Sequence, residues 1–132
     1  MIESIEQAIG ILKNNKLGEL EREEAVEYLR KNPSAEGNDA LIAGLDDDDY
    51  GVHWACGSAL ADLGEQAFPP LLMALSQSDN SIRLRRGARH VIHYNKSAKV
   101  RTKSAGLLKA LKGQGAASAT EVEAHKLLEQ FQ

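Results

Sequence analysis

The chain has 132 residues, 42% of them apolar but only 5% aromatic, and a formal net charge of −3. That length supports one domain over residues 1–132 with a core of its own, and the scarcity of rings leaves the packing to small and aliphatic side chains. The longest apolar runs fall far short of a membrane span, Met1-Ile2-Glu3 lacks the basic start of a secretory signal, and Cys56, the single cysteine, excludes an internal disulfide; a cytoplasmic protein is expected.

Ile2, Ile5, Ala8, Ile9 and Leu12 recur at helical spacing and predict a first helix over about 2–14, broken by Asn14-Asn15 and Gly18. A second helix over about 19–31 places Leu20, Ala25, Val26 and Leu29 inward, keeps Arg30 and Lys31 in its last turn, and stops at Asn32-Pro33. Residues 34–38 read as a polar linker, with Asn38 or Asp39 capping a third helix near 39–46. The acidic turn Asp46–Asp49 leads into a fourth helix over about 50–63, closed by Gly64 as a left-handed residue. Consecutive Asp residues lack the alternation and terminal Glu of a calcium loop, so capping is the better account of them. Pro69-Pro70 suit the first turn of a fifth helix that runs through Leu75. Asp79-Asn80-Ser81 caps a sixth over about 81–94, a seventh covers about 97–112 and is broken at Gly113-Gln114-Gly115, and Thr120-x-x-Glu123 reads as the capping box of a last helix through Phe131. No segment alternates strictly, so no strand is predicted.

The middle of the chain is written twice. Leu41-Ile42-Ala43-Gly44-Leu45 returns as Leu71-Leu72-Met73-Ala74-Leu75, and Asp49-Tyr50-Gly51-Val52-His53 returns as Asp79-Asn80-Ser81-Ile82-Arg83, both at a spacing of 30. A fixed period of this size means stacked helical hairpins, each covering the apolar surface of its neighbour. Four pairs are expected, over 2–31, 39–63, 66–94 and 97–131, with the last as a looser end cap. The stretch Val52-His53-x-x-Cys56-Gly57-x-Ala59-Leu60-x-x-Leu63-Gly64 resembles the second helix of a HEAT repeat, most closely the short bacterial form found in phycobilin lyases. The Asp-rich turn before it and Ala67-Phe68-Pro69-Pro70-Leu71-Leu72-x-x-Leu75 after it carry the same resemblance. It implies an all-α superhelix with the second helices on the concave face. It also implies a ladder between a turn Asp and an Arg early in the second helix, a pattern that Asp79 and Arg83 keep and that His53 interrupts. Members of the family are mainly protein-interaction scaffolds; others are bilin lyase subunits, an iron hydroxylase and DNA glycosylases, and fold alone does not choose among them.

Charge is divided along the chain. Residues 1–79 hold 16 acidic and 5 basic side chains, whereas residues 80–120 hold 10 basic and no acidic ones. Arg83, Arg85, Arg86 and Arg89 crowd one helix, and Lys96, Lys99, Arg101 and Lys103 follow. They form either a surface for an anionic partner or a solvated face. Nucleic acid is disfavoured by the negative total and the near absence of rings to stack bases. His90 and His93 share a helix face, as metal ligands can, with His53 or Cys56 one repeat back as a conceivable third. No His is followed by Glu, which the dipeptides of the resembled hydroxylase require, so no metal or cofactor is expected. Trp54 is either an exposed anchor or a filler between repeats, and Cys56 reads as inert core. The expected function is a non-catalytic scaffold that binds an acidic protein through the concave face with Tyr50, His53, Trp54, Arg85, Arg86, Arg89, His90 and His93. Alternatives are a tetrapyrrole-handling accessory subunit and a DNA-binding protein. The acidic front and basic rear also permit head-to-tail self-association.

Overall fold

A computed structural model describes residues 1–113 and 116–131, and the regular secondary structure among the described residues is all helical. The expected break at Gln114-Gly115 lies outside them. The helices are α1 (Ile5–Lys13), α2 (Glu19–Lys31), α3 (Ala35–Gly44), α4 (Tyr50–Leu63), α5 (Phe68–Leu75), α6 (Ile82–His93), α7 (Ala98–Lys103), α8 (Ala105–Lys112) and α9 (Ala116–Leu128), with a 3₁₀ turn at Gly64–Ala67. Hydroxyl and carboxylate caps set the starts. Ser4, Ser34, Asp49, Ser81 and Ser97 each accept from a backbone N–H two or three residues into their helix, typically worth about 1 kcal/mol apiece. Gly64 ends α4 with φ 69°, a value only glycine reaches freely.

The helices form two layers. α1, α3, α5 and α9 pack side by side in one, and α2, α4, α6 and α8 in the other. The α-solenoid expected from the repeat is the architecture observed, with a core that runs unbroken from Ala8 to Phe131. Its last pair is reversed: α8 continues the layer of the second helices, and α9 folds back onto α5. There Phe131 meets Phe68 edge-on, ring centroids 4.8 Å apart, and closes the end of the stack.

Several local expectations are corrected. Residues 35–38 belong to α3, because Ser34 caps it ahead of Asn38 and Asp39. The seventh helix is split at Ser104 into α7 and α8. Thr120 caps nothing: it lies inside α9, fully buried, and its hydroxyl has no partner among the described residues. Leu20 is 73% exposed, and the inward stripe of α2 instead includes Arg22, only 3% exposed.

The ladder is also re-drawn. Arg22 Nε and Nη2 donate to the Leu12 carbonyl at 3.0 and 2.8 Å, and the same guanidinium pairs with Asp47 of the next hairpin. The caps align Arg22 with His53 and Arg85, the fourth residue of each second helix. His53 Nδ1 donates to the Leu45 carbonyl at 2.7 Å. Arg85 donates to both the Asn80 backbone and side-chain oxygens at 2.6 Å, while Asn80 Nδ2 donates to the Leu75 carbonyl at 3.1 Å. Leu12, Leu45 and Leu75 end successive first helices, where carbonyls lack intrahelical partners. One position therefore performs one task three times, directly through Arg and His and, in the third pair, through an intervening Asn. Arg83, the ladder residue that the resemblance implies, is exposed and makes no ion pair among the described residues. The turn before α6 is longer than the one before α4, which moves the register onto Arg85.

Candidate interaction surface

Along α4 the positions Tyr50, Trp54, Ser58 and Asp62 face outward at a spacing of four, and all four are exposed. Neighbouring α6 turns Arg86, Arg89, His90 and His93 the same way, and Tyr94 follows at its end. Rings from the two helices join into one ridge. Trp54 stands edge-to-face with His90, centroids 5.2 Å apart, and with His53 at 4.7 Å. Tyr50 lies 6.3 Å from Trp54, and Tyr94 lies 4.8 Å from His90 and 4.6 Å from His93. Gly57 makes the close approach of α4 and α6 possible: a Cβ there would come within 3.2 Å of the His90 ring. Three of the six aromatic side chains in the chain are thus spent on this surface, with Trp54 40%, Tyr50 64% and Tyr94 65% exposed.

Beside the ridge, α4, α6 and α8 enclose an open groove of about 560 Å³. Trp54, His90, Tyr94 and Leu108 provide rings and apolar surface, and Arg86, Arg89, His93 and Lys112 provide donors. Among the described residues no carboxylate lines it. Arg86, Arg89 and Lys112 make no ion pair among the described residues. A smaller hollow of about 210 Å³ adjoins the N-terminal end of α4, where Arg83 and Arg86 face Asp47 and Asp48.

Of the eight residues singled out in the sequence, Tyr50, Trp54, Arg86, Arg89, His90 and His93 meet on this surface. His53 and Arg85 lie beneath it, held by Leu45 and Asn80. The Leu45 carbonyl can only accept, so His53 carries a proton on Nδ1. Burial, and then the nearby His53 and His93, hold the His90 imidazole below its ordinary pKa and therefore neutral at pH 7. Lys112 and Leu108 complete the groove from a helix whose placement in the second layer the repeat pattern did not disclose. Lys99 and Arg101 do not contribute: Lys99 pairs with Glu65, and Arg101 bonds the Asn95 carbonyl.

Cys56 is fully buried, and burial pushes its thiol up to about 12, which leaves it an inert core residue at neutral pH. Among the described residues, no group of three or more His, Cys, Asp or Glu side chains could hold a metal ion, and no helix is long and apolar enough to cross a membrane.

Two layers of stacked antiparallel helices with a polar contact repeated at each first-helix end define an α-solenoid repeat protein. A family model described as HEAT repeats matches residues 9–93, well over half of the chain, and the protein belongs to that family. No curated protein and no solved structure matches it.

Proposed function

We propose that the chain is a non-catalytic protein-binding module that holds an acidic segment of a partner in the groove between α4, α6 and α8. One observation carries the reading: a ring-lined groove bordered by Arg86, Arg89 and Lys112 has, among the described residues, no carboxylate in its lining, and only Arg86 also borders the hollow that holds Asp47 and Asp48. Rings and arginines together are what interface centres favour, and unpaired cations beside them steer an anionic partner into place. On this reading the second-helix layer is the concave, partner-facing side, residues 1–132 act as one binding unit, and Trp54 is the anchor.

The test is affinity capture from native lysate with the wild-type chain and with Arg86→Glu/Arg89→Glu. Both positions are exposed, so the variant should retain its helical circular dichroism and melting temperature while losing the captured partner. Equal capture by a folded variant would discard the groove as the docking site. The bilin-lyase and DNA readings rest on resemblance alone; a visible-band shift with a tetrapyrrole, or salt-dependent retention of DNA on a filter, would be needed to revive either.

A further inference from the structure

We infer that the anionic group for which this groove is built is a phosphoryl ester on a side chain of the partner, an inference that rests on the reading above and names the chemistry it recognises.

The donors decide the point. Arg86 and Arg89 are three apart on α6, so their side chains leave the helix as neighbours, roughly 5–6 Å apart at Cβ. Each guanidinium presents a fork of N–H groups, and one fork occupies both oxygens of a carboxylate. Two forks and the Lys112 ammonium from α8 together offer more N–H donors than the roughly four lone-pair sites of one carboxylate. A phosphate monoester offers three strong acceptor oxygens and a charge of about −1.5 to −2 at neutral pH, and it can take a fork on each of two sides while facing the ammonium. Among the described residues no carboxylate lines the groove, so Arg89 and Lys112 meet no anion there, and Arg86 alone also borders the hollow of Asp47 and Asp48.

The remaining volume points to what the phosphate is attached to. A groove of about 560 Å³ is far larger than a free phosphate fills, and its other wall is Trp54, His90, Tyr94 and Leu108. That wall suits the ring of a phosphotyrosine next to the cations. A nucleotide base fits less well, because Trp54 and His90 are inclined at 62° and His90 and Tyr94 at 43°, so among the described groove rings no parallel pair forms a slot for a flat base.

Trp54 is the only tryptophan, so its emission reports on the groove directly. The titration uses peptides of one neutral sequence with tyrosine, phosphotyrosine or glutamate at the central position, together with inorganic phosphate and ATP. The phosphotyrosine peptide should bind at least about tenfold tighter than the glutamate peptide, the tyrosine peptide and free phosphate more weakly still, and ATP no better than free phosphate. Arg86→Lys/Arg89→Lys keeps the charge but removes both forks; its preference for phosphotyrosine over glutamate should fall to about threefold or less with an unchanged melting temperature. Equal affinity for glutamate and phosphotyrosine would overturn the inference while leaving an acidic-segment module standing. ATP binding above the phosphopeptide would overturn it in favour of a nucleotide. Silence towards every peptide would overturn it too, and, joined with unaltered capture by Arg86→Glu/Arg89→Glu, would remove the parent reading as well.

Discussion

Replacing Arg22 by Met tests how successive hairpins are tied together. The side chain is only 3% exposed, donates twice to the Leu12 carbonyl at 3.0 and 2.8 Å, and pairs with Asp47, whose side chain is 17% exposed. Met preserves much of the buried stem and removes every donor. The Leu12 carbonyl is then left unpartnered at the end of α1, and the Asp47 carboxylate loses its cation. Removing one member of a buried pair costs about 3–5 kcal/mol, and the partial exposure of Asp47 argues for the lower end, about 3 kcal/mol. With an unfolding entropy of roughly 2.1 cal/mol/K per residue, that corresponds to a melting temperature lower by about 11 °C. Urea denaturation followed by Trp54 emission and by helical circular dichroism measures it. Adding Asp47→Asn to Arg22→Met removes the stranded charge and should recover part of the loss, so the double variant should be more stable than the sum of the single losses predicts. The pH dependence supplies a second check. Although burial acts against it, the Arg22 hydrogen bond and the amide of Asp49 hold the Asp47 carboxyl below its ordinary pKa of 3.8. Its contribution is therefore complete above that value and is lost as pH falls through the lower folded one. Arg22→Met should abolish this acid limb. A loss below about 1 kcal/mol, the level of an exposed ion pair, would refute the view that this contact ties the first two hairpins.

Thr120→Val replaces a buried hydroxyl that lacks a partner among the described residues by a methyl group of the same shape, and should stabilise the chain by about 1 kcal/mol in the same denaturation assay. Gly44→Ala should destabilise by about 1–3 kcal/mol, because its Cβ would overlap the Cys56 Sγ; Gly44→Ala with Cys56→Ala should lose less than the sum of the two single changes. The depressed His90 pKa has a definite sign: its contribution to stability is full above the unfolded value of 6.5 and is lost as pH falls towards the folded one. Denaturation at pH 7.5 and 5.5 checks the direction, and His90→Gln should flatten this part of the stability profile.

Much of this was legible in the primary structure, and the failures have physical causes. α2 and α4 were bounded correctly because a breaking Gly or an Asp cap and an apolar stripe agree at their ends. The register of α6 differs, because the turn before it is longer than the one before α4 and the second helices start at Tyr50 and Ile82, so the resemblance points to Arg83 where the structure uses Arg85. Arg22 stands on the same stripe as Ala25, Val26 and Leu29, yet a guanidinium on such a stripe reads as solvent-facing until the carbonyl it serves is known. The aromatic and basic residues of the surface were visible as residues, and the period placed α4 beside α6. What the period hid was the reversal of the last pair, which brings Lys112 and Leu108 to the groove from α8.

The most direct measurement is a ¹⁵N–¹H spectrum of the labelled chain titrated with the partner that it captures. Shifts concentrated at the Trp54 indole and at the amides of Arg86, Arg89, His90, Tyr94 and Lys112 are the expected result. A quiet groove, with the shifts gathered instead around exposed Leu20, Met73 or Val122, would show that partners dock elsewhere on the solenoid.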